Sequence, residues 1–170
     1  MRLGSFLAVM LACLGLAGCV GYRLGSTNGT PAGSRSIQVN LFRNQTPEPR
    51  LAEAVGFSLR RLLQQDGTYK LNTEGEGDVV VSGVLTGYER IGLSFQPSDT
   101  LSVRDFELRL QAHVTAVERG TGRAIFERDL QGRTTLRPGA DFSSAERQAV
   151  PLLAEDLARN ITSLLVDGTW

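Results

Sequence analysis

Few residues in this sequence are suited to chemistry. His113 is the only histidine of the 170-residue chain, and Cys13 and Cys19 are the only cysteines. A histidine acts as a base or a metal ligand only beside a nucleophile, an orienting carboxylate or further ligands. His113 instead stands in the series Asp105, Glu107, Arg109, Gln111, His113, Thr115, the polar parity of a strand. It reads as a solvated or partner-facing side chain. No His/Cys cluster has the spacing of a transition-metal site. There is no G-x-S-x-G elbow and no phosphate-cradling glycine loop. Glu74, Glu76 and Asp78 lack calcium-loop spacing and read as a solvated turn. The sequence names no catalytic residue, no metal ligand and no cofactor pocket, and we expect no enzyme.

Cys19 has a different chemistry. Arg2 gives a positive start, residues 3–15 are an apolar run, and Leu16-Ala17-Gly18 is a small-residue exit. The run is too short to stay as a membrane span, which needs about twenty apolar residues. The ending Leu16-Ala17-Gly18-Cys19 resembles the lipobox of bacterial lipoproteins. That resemblance makes residues 1–18 a signal peptide and Cys19 the acylated first residue of the mature chain. Cys13 would leave with the signal, so no disulfide is expected, and the covalent acyl group would be the only modification. Several acyl chains hold a protein stably on a membrane where a single chain does so only marginally. Val20 stands where an aspartate would resemble an inner-membrane retention signal, which favours the outer membrane.

Residues 19–170 amount to about one domain. The hydrophobic share of 41% allows an ordinary core, and a formal charge of zero gives no bulk attraction to nucleic acid. Residues 19–35, rich in Gly, Ser, Thr and Pro, read as a lipidated tether, and 36–167 as a single α+β domain.

The elements that would position a functional surface follow from periodicity. Ile37, Val39 and Leu41 alternate with polar residues as a strand that Asn44-Gln45-Thr46-Pro47 breaks. Residues 50–65 carry Leu51, Val55, Leu59, Leu62 and Leu63 on one helical stripe, and Gly67 ends the helix. Residues 69–73 are a short strand. Residues 78–90 have apolar residues on both parities and read as a central strand, followed by a loop over 91–101. Residues 103–117 alternate cleanly: Phe106, Leu108, Leu110, Ala112, Val114 and Ala116 lie on one face. A Gly120-Thr121-Gly122 turn leads to the partner strand 123–136. Ser143-Ser144-Ala145-Glu146 fits a capping box. It opens a last helix with Val150, Leu153, Leu157, Ile161 and Leu164 on one stripe and Pro151 near its start.

The order β-α-β-β-β-β-α predicts an α+β two-layer sandwich: a mixed or antiparallel sheet of four to five strands with both helices on one face. The opposite face would be polar. It would present Asp105, Glu107, Arg109, Gln111, His113 and Thr115 beside Glu127, Asp129, Gln131 and Arg133. Such a face suits either water or another polar surface, for instance the interior of a large barrel.

Four stretches in this order resemble the LptE family of outer-membrane lipopolysaccharide-assembly lipoproteins. They are Gly18–Leu24, Ile37–Pro49, Gly83–Tyr88 and Phe106–Val114, the last followed by the Thr121-Gly122-Arg123 hairpin. The resemblance implies a non-enzymatic partner on the periplasmic face of the outer membrane. It would plug and help assemble the LptD β-barrel and bind lipopolysaccharide in transit. Some family members use basic side chains in the loop before the long strand and in the segment before the last helix. Here Arg90, Arg104 and Arg137 flank those segments and are the candidate lipopolysaccharide contacts, arginine being able to hold phosphate bidentately. The alternative is a lipid-anchored accessory lipoprotein of another secretion or envelope-assembly system, because the Phe-Arg-Asn-Gln-Thr pattern is loosely shared with curli-secretion-type domains.

Overall fold

The computed structural model describes residues 33–96, 99–139 and 141–168. Residues 1–18, Cys19 and all of the tether before residue 33 lie outside them, as do Pro97 and Ser98. Six strands and two helices follow one another: β1 (Arg35–Val39), β2 (Arg43–Asn44), α1 (Leu51–Asp66), β3 (Tyr69–Leu71), β4 (Val79–Gln96), β5 (Asp99–Glu118), β6 (Ala124–Leu136) and α2 (Phe142–Asp167). The sheet runs β3-β1-β4-β5-β6, and β2 also pairs with β4. The pairs β1–β3, β1–β4 and β2–β4 are parallel, whereas β4–β5 and β5–β6 are antiparallel. Parallel neighbours need a crossover, and α1 supplies it between β1 and β3. The fold is an α+β two-layer sandwich with a mixed sheet, and β4 is its central strand.

Each element forms where its residues can bury one side. On α1, Leu51, Val55, Leu59 and Leu63 are buried. Gly67 closes this helix at φ +75°, its N–H bonding the Leu63 carbonyl, a conformation that costs a residue without Cβ nothing. On α2, Leu153, Leu157, Ile161 and Leu165 are fully buried. The two helices pack on each other and on the sheet, and Arg61 and Glu155 pair between them at 2.7 Å. On β5, Leu108, Leu110, Ala112, Val114 and Ala116 face the helices and are almost inaccessible.

Two glycines set the contact distances. A Cβ on Gly83 would come within 2.5 Å of the Phe42 ring, and one on Gly132 within 2.7 Å of the Leu157 backbone nitrogen. The Phe42 ring and helix α2 therefore lie directly on the sheet backbone.

Five local expectations need correction. Leu41 does not turn inward: it is 69% exposed, and Phe42, at 2%, takes the core place because the chain steps after Val39 to start β2. Residues 91–96 and 99–101 are strand, so β4 and β5 continue as a hairpin through most of the expected loop. The strand expected over 69–73 ends at Leu71. The two-sided apolar pattern of β4 is cover on both faces, with Val79, Val81 and Leu85 buried on the core side and Val80 and Val84 half-buried on the other. A bulge between Leu85 and Gly87 then exchanges the faces. Before it, odd residues such as Val81 and Leu85 face the core; after it, Tyr88 and Arg90 do. Finally, Ser143 does not cap α2. Asp141 does, accepting from the N–H groups of Ser143 and Ser144 at 3.0 and 3.2 Å. A carboxylate there also meets the positive end of the helix dipole. Leu165, not the half-buried Leu164, completes the stripe, and the helix continues through Pro151.

Candidate functional site

The face of the sheet away from the helices is built by three long strands in register. Cross-strand rows run Glu89–Arg109–Arg133, Gly87–Gln111–Gln131, Val84–His113–Asp129 and Ser82–Thr115–Glu127. The expected polar set thus shares one surface. On β4 the face is less polar, with Val80, Val84 and Ile91 half-buried on it. Neighbouring charges neutralise one another. Glu107 accepts from Arg109 at 2.7 Å along the same strand. His113 lies between two carboxylates, with Nδ1 2.8 Å from Asp129 Oδ1 and Nε2 3.0 Å from Glu127 Oε1. Ionised carboxylates only accept, so both contacts are satisfied when both ring nitrogens carry a proton. Hydrogen bonding to Asp129, then to Glu127, accordingly raises the His113 pKa above 6.5. The residue is an exposed cross-strand clamp, with both ring nitrogens held by carboxylates of β6. Among the described residues no group of three or more His, Cys, Asp or Glu is placed to hold a metal.

The three arginines singled out in the sequence come to the same end of the sheet, but on different faces. Arg90 lies under α2, where its Nε donates to Glu146 Oε1 at 2.5 Å. Its guanidinium sits 5.5 Å from the Tyr88 ring centroid and 5.8 Å from that of Phe142. Tyr88 also donates to Glu146 Oε1, at 2.5 Å, and Phe142 meets Phe106 edge-on with centroids 5.1 Å apart. Burial, followed by the Glu146 contact, pushes the Tyr88 hydroxyl pKa up. Arg137 belongs to the open side: its Nε donates to Asp105 Oδ1 at 2.5 Å, and Ser94 Oγ donates to Asp105 Oδ2 at 2.5 Å. These two bonds hold the Asp105 carboxyl below the usual carboxylate range. Arg104 is exposed, and its charge acts on the neighbouring Asp105. Two of the three cations are already neutralised, and the three do not converge on one point.

Tyr88, Phe142 and Glu146 were missed in the sequence. The available signal was Tyr88-x-Arg90, which puts two cooperating side chains on one face of a strand, but the partner Glu146 lies 56 residues past Arg90.

At the opposite end, Gly33 N–H bonds the Thr68 carbonyl, and Arg35 pairs with Glu118 at 2.6 Å beside the β5–β6 turn. The N-terminal end of the described chain is therefore remote from the arginines. Among the described residues no helix is long and apolar enough to cross a membrane.

Comparison with known proteins places this architecture. No curated protein matches the chain. A Xanthomonas campestris protein of the DUF330 family model has a TM-score of 0.59 at 10% identity, covering 86% of this chain and 92% of its own. A Chlamydia trachomatis protein, CT253, has a TM-score of 0.54 at 9% identity, covering 77% and 95%. A minor lipoprotein of Acinetobacter baumannii has a TM-score of 0.51 at 16% identity, covering 78% and 92%. At these identities the likeness is one of fold. The family itself is given by the sequence model described as LptE, lipopolysaccharide-assembly, which matches residues 34–165, from the strand before α1 to the last turns of α2. The chain belongs to the LptE family.

Proposed function

We propose that this chain is an outer-membrane lipoprotein, acylated at Cys19, that plugs and helps assemble the LptD β-barrel and assists lipopolysaccharide transport to the cell surface. The family match over residues 34–165 carries the reading. The open sheet face supports the plug role. Carboxylates, arginines and amides alternate there in near-neutral rows, and the lumen of a large barrel is polar and wet. The open-face residues Asp105, Glu107, Arg109, Gln111, His113, Glu127, Asp129, Gln131 and Arg133 are the proposed barrel-facing surface. A domain that docks and positions needs no catalytic group, and none is assigned.

Arg90, Arg104 and Arg137 are the proposed lipopolysaccharide contacts. Arg104 would meet a phosphate first, because Arg90 must release Glu146 and Arg137 must release Asp105 before either can bind an anion fully. One experiment tests both parts. The tagged full chain, solubilised in detergent from its own envelope, brings down a large β-barrel protein together with lipopolysaccharide. The triple variant Arg90→Ser, Arg104→Ser, Arg137→Ser keeps the barrel and loses most of the lipopolysaccharide. Absence of any barrel protein overturns the plug reading. Unchanged lipopolysaccharide in the triple variant overturns the contact assignment.

A further inference from the structure

Strand β6 is an edge of the sheet, and a free edge offers unpaired N–H and C=O groups to any strand that arrives. The Arg133 N–H and the Gln131 carbonyl are already taken. Asp156 Oδ2 accepts from the Arg133 N–H at 2.9 Å, and Asn160 Nδ2 donates to the Gln131 carbonyl at 2.7 Å. The spacing fits. Residues four apart on a helix rise about 6 Å, and residues two apart on a strand span about 7 Å. Helix α2 thus offers β6 one acceptor and one donor, as an adjoining strand would. Gly132, between the two bonded residues, lets the helix come close enough. A Cβ there would lie 2.7 Å from the Leu157 nitrogen and 2.9 Å from the Leu153 carbonyl oxygen. Leu153 and Leu157 are fully buried, so the position of the helix is fixed by the core.

We propose that Asp156 and Asn160 act as a surrogate strand that prevents a second copy of this chain from adding to the sheet along β6. The occupant excluded is β6 itself, arriving antiparallel about a two-fold axis near Gly132, the geometry of an isologous dimer. Charge alone does not forbid that pairing. Centred on Gly132, it sets Glu127 of one copy opposite Arg137 of the other. Gly132 also has no side chain to obstruct it. The two α2 side chains are what occupy the site.

The test uses the full chain in detergent, followed by sedimentation over a concentration series and by amide hydrogen exchange. In Asp156→Ala/Asn160→Ala, self-association strengthens at least tenfold, and the Arg133 amide, fast at low concentration, slows as concentration rises. Asp156→Asn keeps an acceptor oxygen and behaves as the unaltered chain. Asn160→Ala alone removes one bond of the two and gives an intermediate gain, a readout that remains if the double variant does not fold. The proposal is overturned if the variants sediment as the unaltered chain at every concentration. It is equally overturned if they associate while the Arg133 amide stays fast, which would locate the contact elsewhere.

Discussion

The two faces of β5 contrast sharply, although the same backbone carries both. Its even residues from Leu108 to Ala116 are sealed beneath α1 and α2, and its odd residues line an open surface of paired charges. The covered face gains from area removed from water, about 25 cal/mol per Å² of apolar surface. The open face gains little from its ion pairs, since exposed pairs are typically worth less than about 1 kcal/mol. One strand therefore separates stability from surface chemistry, and the outer residues are free to suit a partner at little cost to folding.

The largest expected effect tests that separation directly. Leu110→Ala removes a fully buried side chain and costs about 3 kcal/mol. Gln111→Ala, its neighbour on the open face, changes stability by less than about 0.5 kcal/mol. Denaturant unfolding midpoints measure both, and equal losses would break the comparison. An intermediate effect is expected under α2. Glu146→Ala leaves the Tyr88 hydroxyl and Arg90 without their shared acceptor and costs about 1–2 kcal/mol. Asp129→Ala, an exposed acceptor on the other face, costs far less. Comparable losses would show that the open face carries more of the fold than its exposure suggests.

The smallest effect is a pH dependence on the open face. The folded His113 pKa lies above the ordinary 6.5, so the clamp's contribution is fully present below that value and fades as pH rises through the folded pKa. Thermal unfolding from pH 5.5 to 8.5 should show a small decline that His113→Gln abolishes. Identical profiles would mean that the two carboxylates do not hold the imidazolium. The acid side has the opposite sign. Asp105 and Glu118 are held below their ordinary values, so their contributions are lost as pH falls through those lowered values.

What was legible in the sequence was whatever repeats along a single element. The alternation of Phe106 to Ala116 and the stripe Leu51-Val55-Leu59-Leu63 report burial directly, because one face of each element is dry. What escaped depends on contacts between distant segments. Phe42 replaces Leu41 in the core because Gly83, on another strand, leaves room for its ring. Glu146 fitted a local capping pattern, yet Tyr88 and Arg90 hold it and Asp141 caps the helix in place of Ser143. The single extra residue near Thr86 exchanges the faces of β4 halfway along and turns Tyr88 and Arg90 to the core side, which no pattern within the strand announced. Of the candidate surface, the pairing into cross-strand rows rests on the register between strands, and only the membership of β5 and β6 followed from alternation. The division of Arg90 and Arg137 between two faces did not, because it depends on that bulge.

The β4–β5 ribbon, paired from Val79–Glu118 to Gln96–Asp99, also sets a length. At about 3.3 Å per residue, the 18 residues of β4 span roughly 60 Å along the strand. The chain leads into the domain at one end, near Gly33 and the Arg35–Glu118 pair, and Arg104 lies toward the other. The domain is thus a ruler as well as a surface. Lengthening the segment before Gly33 would move the near end of that ruler, while the distance from there to the arginines would stay as the hydrogen-bonded ribbon sets it.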